Sequence, residues 1–350
     1  MEVRRSGIVE SRHRGHIVQV GAGGEIERAL GDPDIVVTLR SAAKPFALVA
    51  LVESGAAKEF GLTPPELALM AASHSGEDLH VRTLQAVFRR AGVSQSLLAC
   101  GTDDAPLDAL TAARLARDGE QAGPVRHNCS GQHASSILLS RYSGWTLADY
   151  WRPEHPSQVA ARTAVGRCFG IQPEALRTAV DRCGILTYAV PLVEVARAYA
   201  LLADPERVAG SSARSRVVPP LTRIRDAMLA WPEMVAGTRE RVDTAVMKAL
   251  PGRLISKGGA EGLRGLALLA GSRGDGTEAA GMAITIEDGD GSDRAGRAVA
   301  VEALEQVEVL STQLVRQLGA YHRPIERDPR GAPCSEALPE FELAPISELV

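Results

Sequence analysis

No block of basic charge marks this 350-residue chain. Its 39 Lys+Arg and 43 Asp+Glu are spread along the whole length, for a formal net charge of −4, and no basic run is interleaved with aromatics. That excludes the electrostatic footprint of a nucleic-acid binder. No apolar run approaches the ~20 residues of a membrane span, so no membrane association is expected. The N-terminus, Met1-Glu2-Val3-Arg4-Arg5-Ser6, has no apolar segment behind it, and no signal peptide is expected. Cysteine is sparse and odd in number: Cys100, Cys129, Cys168, Cys183 and Cys334. Such a set in a long chain argues against a disulfide framework and for a reducing compartment, here the cytoplasm. There is no internal repeat and no low-complexity segment. Residues 204–217 are the only stretch resembling a hinge.

What is there is ordinary for a soluble globular protein: 45% hydrophobic and 23% charged residues. The length suffices for one large domain or two with a buried core. Short β patterns occupy Gly7–Glu10 and Ile17–Val20. A turn at Gly21–Gly24 lets Glu25–Glu27 return as a hairpin partner, and Ile35–Leu39 is a further strand. Thr63-Pro64-Pro65-Glu66 is a helix start with a capping box. Helical patterns then cover about 79–91, 107–116, 157–168, 173–180, 191–203, 219–230 and 238–249. The last third returns to strands near 253–259, 266–270 and 280–286, followed by a helix from about Ala295 to Leu310. The Pro-rich tail from Arg323 reads as irregular. This order predicts one α+β domain over 1–350. Its sheet is built from about 1–40 and 253–290, with a helical insertion over about 60–250.

The chemistry centres on Arg40-Ser41-Ala42-Ala43-Lys44-Pro45, where a strand pattern passes into a helical one. Ser41 and Lys44 are three apart, on one helical face one turn apart. A serine hydroxyl is a poor nucleophile until a base takes its proton, and a free lysine amine can be that base. The N–H groups of the first helical turn favour a developing oxyanion. Two more motifs follow in order: Ser73-His74-Ser75, then Lys257-Gly258-Gly259. The series mimics S-x-x-K, S-x-N and K-T-G of serine β-lactamases and penicillin-binding proteins. In that logic Ser41 attacks, Lys44 accepts its proton, and Ser73 relays a proton toward the leaving amine. Lys257 keeps a second cation close, and two nearby cations disfavour each other's charge. The glycine pair lets a substrate approach the strand backbone.

These motifs resemble those of the rhizobial-type L-asparaginases, the asparaginase II family. The matching segments are Arg40–Pro45, Ser73–Glu77, His127–Gly131 with His133-Ala134, Asp181-x-Cys183-Gly184, Lys257–Gly262 and Ile286–Asp290. The resemblance implies a serine β-lactamase-like fold, a mixed sheet flanked by helices, and a homodimer. It implies hydrolysis of L-asparagine to L-aspartate and ammonia through an acyl-enzyme on Ser41, with Ser41–Lys44 and Ser73–Lys257 as two Ser-Lys pairs. Arg40, His133, Asp181, Gly258 and Gly259 would hold the amino acid. No organic cofactor is implied. Cys129 and Cys183 match two zinc ligands of the family, but Gln132 stands where a third, a lysine, is usual. His133 is then the substitute ligand to consider. Gly101-Thr102-Asp103 also departs from the pattern, where a histidine is expected. Two alternatives remain: another amidase, esterase or D-amino-acid peptidase of the same fold, or an amino-acid-binding homologue without turnover.

Overall fold

The computed structural model describes residues 1–208, 215–290 and 293–346. Part of the hinge-like stretch, 209–214, lies outside the described residues, as does Gly291 of the acidic turn. The strands in chain order are β1 (Glu2–Arg5), β2 (Ile8–Arg12), β3 (Gly15–Gly21), β4 (Ile26–Leu30), β5 (Val36–Thr38), β6 (Arg177–Val180), β7 (Leu186–Pro191), β8 (Leu254–Gly258), β9 (Arg264–Leu268), β10 (Ala280–Ile286), β11 (Ile325–Arg327) and β12 (Pro333–Leu338). With the helices between them they make an α+β fold. The chain divides into two compact units: Met1–Ala42 with Val190–Val208 and Ala245–Val350, and Ala43–Ala189 with Ala209–Thr244. No helix among the described residues is long and apolar enough to cross a membrane.

The first unit is built on a five-stranded sheet of order β4-β3-β10-β9-β8. The N-terminal hairpin β3–β4 joins it by pairing β3 with β10, Ile17 opposite Ile284. All seven residues of β10 are buried, which requires cover on both faces. Helices Leu192–Ala203 and Ala295–Gln306 pack against it. The first can lie so close because the sheet offers glycines beneath it. A Cβ on Gly281 would sit 1.9 Å from the Ala196 carbonyl oxygen, and one on Gly265 would sit 2.1 Å from the Tyr199 ring. The helix held at this distance sends the Tyr199 hydroxyl to donate to the Ala42 carbonyl at 3.0 Å. The packing of one helix on one sheet thereby anchors the turn that carries Ser41.

The second unit is mainly helical. Its helices include Lys44–Ala47, Val49–Glu53, Pro64–Met70, Asp78–Ala91, Ser130–Ser143, Pro156–Phe169 and Val218–Ala230. The Thr63–Glu66 capping box is present, with the Thr63 N–H donating to Glu66 at 2.8 Å. Phe46 meets Phe169 edge-on, ring centroids 5.2 Å apart, in the core of this unit.

Three expectations need correction. Residues 173–180 are not a helix: a single 3-10 turn at Pro173–Ala175 leads into β6. There Arg177 to Val180 pair with Ala189 to Leu186 across the Asp181–Gly184 turn. Local propensity is ambivalent in Arg-Thr-Ala-Val, and the partner strand decides. The tail from Arg323 is not irregular either. β11 and β12 join β1 and β2 in a four-stranded sheet of order β11-β12-β1-β2. The prolines stand where they disturb least, before β11 at Pro324 and at the first residue of β12, Pro333. The two main sheets of the first unit are antiparallel throughout rather than mixed in direction.

Replacing Gly281 by Ala forces the Leu192–Ala203 helix off the sheet. Overpacking of this kind costs about 1–3 kcal/mol, so Gly281→Ala is expected to lower the urea midpoint while Gly319→Ala, where a Cβ meets nothing within 4 Å, shifts it less.

Candidate functional site

In the first unit, Ser41 sits in the 3-10 turn Arg40–Ala43. The Ala42 N–H closes that turn on the Leu39 carbonyl at 2.9 Å. Arg40, just before Ser41, has φ +45°, a left-handed conformation that a side-chain-bearing residue rarely adopts and that is held here by its surroundings. The end of β8 lies beside the same turn: a Cβ on Gly259 would be 3.0 Å from the Leu39 carbonyl oxygen. A side chain there would crowd the turn, which is the physical sense of glycine after Gly258. Lys257 is 1% exposed, and its Nζ donates to the Gly258 carbonyl at 2.6 Å. This unit therefore brings Ser41 and the Lys257-Gly258-Gly259 strand end to one edge of the sheet.

In the second unit, Lys44 is 2% exposed. A buried amine must find its partners inside the protein. Its Nζ donates to Ser73 Oγ at 3.2 Å, to Cys129 Sγ at 3.2 Å and to the Asn128 carbonyl at 3.4 Å. Ser73 is itself positioned by its backbone. Its N–H donates to the Val235 carbonyl at 3.0 Å, and its carbonyl accepts from Arg241 Nη2 at 2.9 Å. Arg241 also donates to Ser75 Oγ at 3.0 Å, and Ser75 Oγ donates to the Ala236 carbonyl. His74 points into the core instead. Its Nδ1 accepts from the Gly76 N–H, and its Nε2 donates to Ser130 Oγ at 2.9 Å, which in turn donates to the Val125 carbonyl. Burial, then the charges of His80 and Lys44, hold His74 neutral, well below the usual histidine range.

Cys129 and the helix Ser130–Ser143 follow directly. Gly131 allows the close approach of that helix: a Cβ there would lie 2.2 Å from the Leu69 carbonyl oxygen. Cys129 and Cys183 are both buried. The Cys183 thiol donates to Cys129 and lowers its pKa, and the positive charge of Lys44 acts in the same direction. Cys183 is pushed the other way by that same hydrogen bond and by burial. The two thiols are thus pushed in opposite directions, Cys129 down and Cys183 up. Asp181 opens the β6–β7 turn: its N–H donates to Ile185 and its carbonyl accepts from Gly184, both at 2.8 Å. Gly184 has φ +90°, a conformation that suits glycine.

His133 is fully buried and lies beside Tyr150, with Nδ1 and the tyrosine oxygen 2.7 Å apart. The Ala99 N–H donates to the same oxygen at 2.9 Å. His133 Nε2 has no hydrogen-bond partner among the described residues. Burial lowers the His133 pKa to about 4 and raises that of Tyr150, so both are neutral at pH 7. Sequence reasoning missed Tyr150, Tyr199 and Arg241. None stands in a motif, and each acts through a contact to residues far along the chain.

The sequence of residues 1–338 matches the family model described as L-asparaginase II. The chain belongs to the asparaginase II family. Asparaginase II proteins are amidohydrolases, and the small-molecule substrate of the family is asparagine. No curated protein matches. Among solved structures, the chain is similar to Mglu. Mglu in its L-glutamate binding form in the presence of 4.3 M NaCl is 16% identical with a TM-score of 0.34, over 79% of this chain and 55% of that one. Mglu in its tris and glutamate form is 14% identical with a TM-score of 0.35, over 91% and 62%. Mglu in its native form is 16% identical with a TM-score of 0.36, over 86% and 67%. The chain thus spans 55% of the length of the first of these.

The zinc site that the asparaginase II resemblance implies is not completed by the residues present. Cys129 and Cys183 are two sulfur donors, and position 132 supplies a neutral glutamine. Among the described residues, the cluster of three potential donors is elsewhere, at Glu302, Glu305 and His322. A structural zinc site takes four donors, and these residues do not supply them.

His74 and His133 have folded-state pKa values below the unfolded value of 6.5. The unfolded chain therefore binds more protons below pH 6.5. Stability is fully present above that pH and falls as pH drops toward 4, by about 1.4 kcal/mol per pH unit for each histidine. Urea unfolding at pH 7, 6 and 5 is expected to show this slope, reduced in His133→Asn.

Proposed function

We propose that this chain hydrolyses L-asparagine to L-aspartate and ammonia through a covalent acyl-enzyme. Ser41 Oγ attacks the side-chain amide carbon, and its proton passes to a lysine amine. The tetrahedral intermediate collapses by breaking the carbon–nitrogen bond. The departing nitrogen takes a proton relayed through Ser73 and leaves as ammonia. Water then attacks the ester on Ser41, and aspartate is released. Lys44 and Lys257 divide the proton transfers between them, as members of the pairs Ser41–Lys44 and Ser73–Lys257. Arg40, His133 and Asp181 hold the amino-acid end of the substrate, and Gly258 and Gly259 leave it room at the strand.

The observation that carries this reading is the burial of Lys44, three residues from Ser41, with its Nζ on the oxygen of the second motif serine, Ser73, in a chain whose asparaginase II match covers residues 1–338. A lysine costs free energy to bury, and a surface ion pair would have served stability without that cost. The strained Arg40 backbone before Ser41 supports the same conclusion, since such strain concentrates where function demands it. The protein acts on this reading as a cytoplasmic homodimer, which sedimentation can test.

Purified protein is expected to release ammonia from L-asparagine. Ser41→Ala is expected to lose this by several orders of magnitude, because the attacking atom is gone, while its thermal unfolding stays close to wild type. Ser41→Ala with wild-type turnover overturns the assignment. Zinc binds weakly through Cys129 and Cys183, so metal analysis of purified protein is expected to find less than one equivalent. Gln132→Lys supplies a third donor and is expected to raise that content. Stoichiometric zinc in wild type, unchanged in Gln132→Lys, contradicts the account of position 132.

A further inference from the structure

We propose that Tyr150 is a positioning residue that fixes His133 in its Nε2–H tautomer. His133 is thereby a hydrogen-bond donor to a carboxylate oxygen of the bound amino acid, and not a metal ligand. The identity of that oxygen rests on the functional reading above; the tautomer does not.

Tyr150 and His133 form one buried cluster whose hydrogen bonds can be counted. Tyr150 and His133 are 1% and 0% exposed, so water cannot serve them freely. The tyrosine oxygen already accepts from the Ala99 N–H. Its own proton needs an acceptor, and among the described residues the atom in reach is His133 Nδ1 at 2.7 Å. If Tyr150 donates, Nδ1 accepts, the neutral ring carries its proton on Nε2, and one group is left over: the Nε2–H. If Nδ1 donates instead, two groups are left over, the tyrosine proton and the Nε2 lone pair. Each buried polar group without a partner is costly, so the first arrangement is favoured. The low basicity of His133 keeps the doubly protonated ring out of the comparison.

The Nε2–H is then a buried donor with no acceptor among the described residues. Most buried polar groups in native proteins are paired, and a carboxylate oxygen of the bound amino acid would pair this one. Cys129, Lys44, His127 and Asp181 all act electrostatically on His133, so this donor lies among the candidate site residues of the second unit. A ring nitrogen that bears a proton has no lone pair for zinc, which removes His133 as the substitute for the absent lysine at position 132.

Long-range nitrogen-15 NMR of the imidazoles decides the tautomer. The chain has eight histidines, and the His133 signals are identified by their loss in His133→Gln. Wild type is expected to show a protonated Nε2 and an unprotonated Nδ1, with Nε2 shifting on addition of L-aspartate and unmoved by zinc chloride. In Tyr150→Phe, nearly isosteric, the ring is expected to become a mixture of tautomers. KM for L-asparagine is expected to rise about tenfold, the equivalent of one hydrogen bond, with kcat changed far less. A protonated Nδ1 in wild type, or a zinc-induced shift of Nε2, overturns the inference, and wild-type spectra decide it even if Tyr150→Phe does not fold. A protein with the Nε2–H tautomer that does not hydrolyse asparagine leaves the inference standing and removes the functional reading.

Discussion

Burying an amine in a protein interior is expensive unless every one of its protons has a home. Lys44 meets this condition by gathering Ser73, the Asn128 carbonyl and Cys129 around one nitrogen. The partners come from two stretches of chain, Ser73 and Asn128-Cys129, and both are fixed in turn. Ser73 is pinned between Val235 and Arg241. Cys129 is tied by its N–H to His127 and by its sulfur to Cys183. Removing any of these leaves a buried polar group unpaired, so the second unit's polar interior is a network whose members depend on one nitrogen.

In the first unit the governing constraint is distance. Gly265 and Gly281 let the Leu192–Ala203 helix settle onto the sheet until no Cβ would fit between them. Only at that separation does the Tyr199 hydroxyl meet the Ala42 carbonyl. Gly131 does the same for the Cys129 helix against Leu69, and Gly259 for the strand end against Leu39. In this chain the glycines of the motifs are chiefly spacers that set how closely backbones approach. The chemistry is carried by the side chains those approaches bring into reach.

Proton placement is the third layer. His74 and His133 are both buried and neutral, yet they differ in use. His74 has both nitrogens satisfied, by Gly76 and Ser130. His133 has one nitrogen satisfied and one without a partner among the described residues. The first reads as part of the scaffold, the second as a group awaiting a ligand. The two neighbouring sulfurs are pushed in opposite directions, Cys129 toward easier loss of its proton and Cys183 away from it.

The sequence by itself determined the long elements and the order of the chemical motifs. The Thr63–Glu66 cap, the buried run of β10 and the helices Pro156–Phe169, Leu192–Ala203 and Val218–Ala230 are local statements, and local physics suffices to read them. Ser41, Lys44, Ser73 and Lys257 stand out through spacing alone. Tertiary structure decided what no local pattern carries. Arg177–Val180 became a strand because β7 was there to pair with it, and the tail became β11 and β12 because β1 offered an edge. The partners of Lys44, the anchoring of Ala42 by Tyr199 and the pairing of Tyr150 with His133 are contacts across 17 to 157 residues of chain. A hydrogen bond between distant residues leaves no periodicity in either segment, so only the folded chain reveals which buried donor still lacks its acceptor.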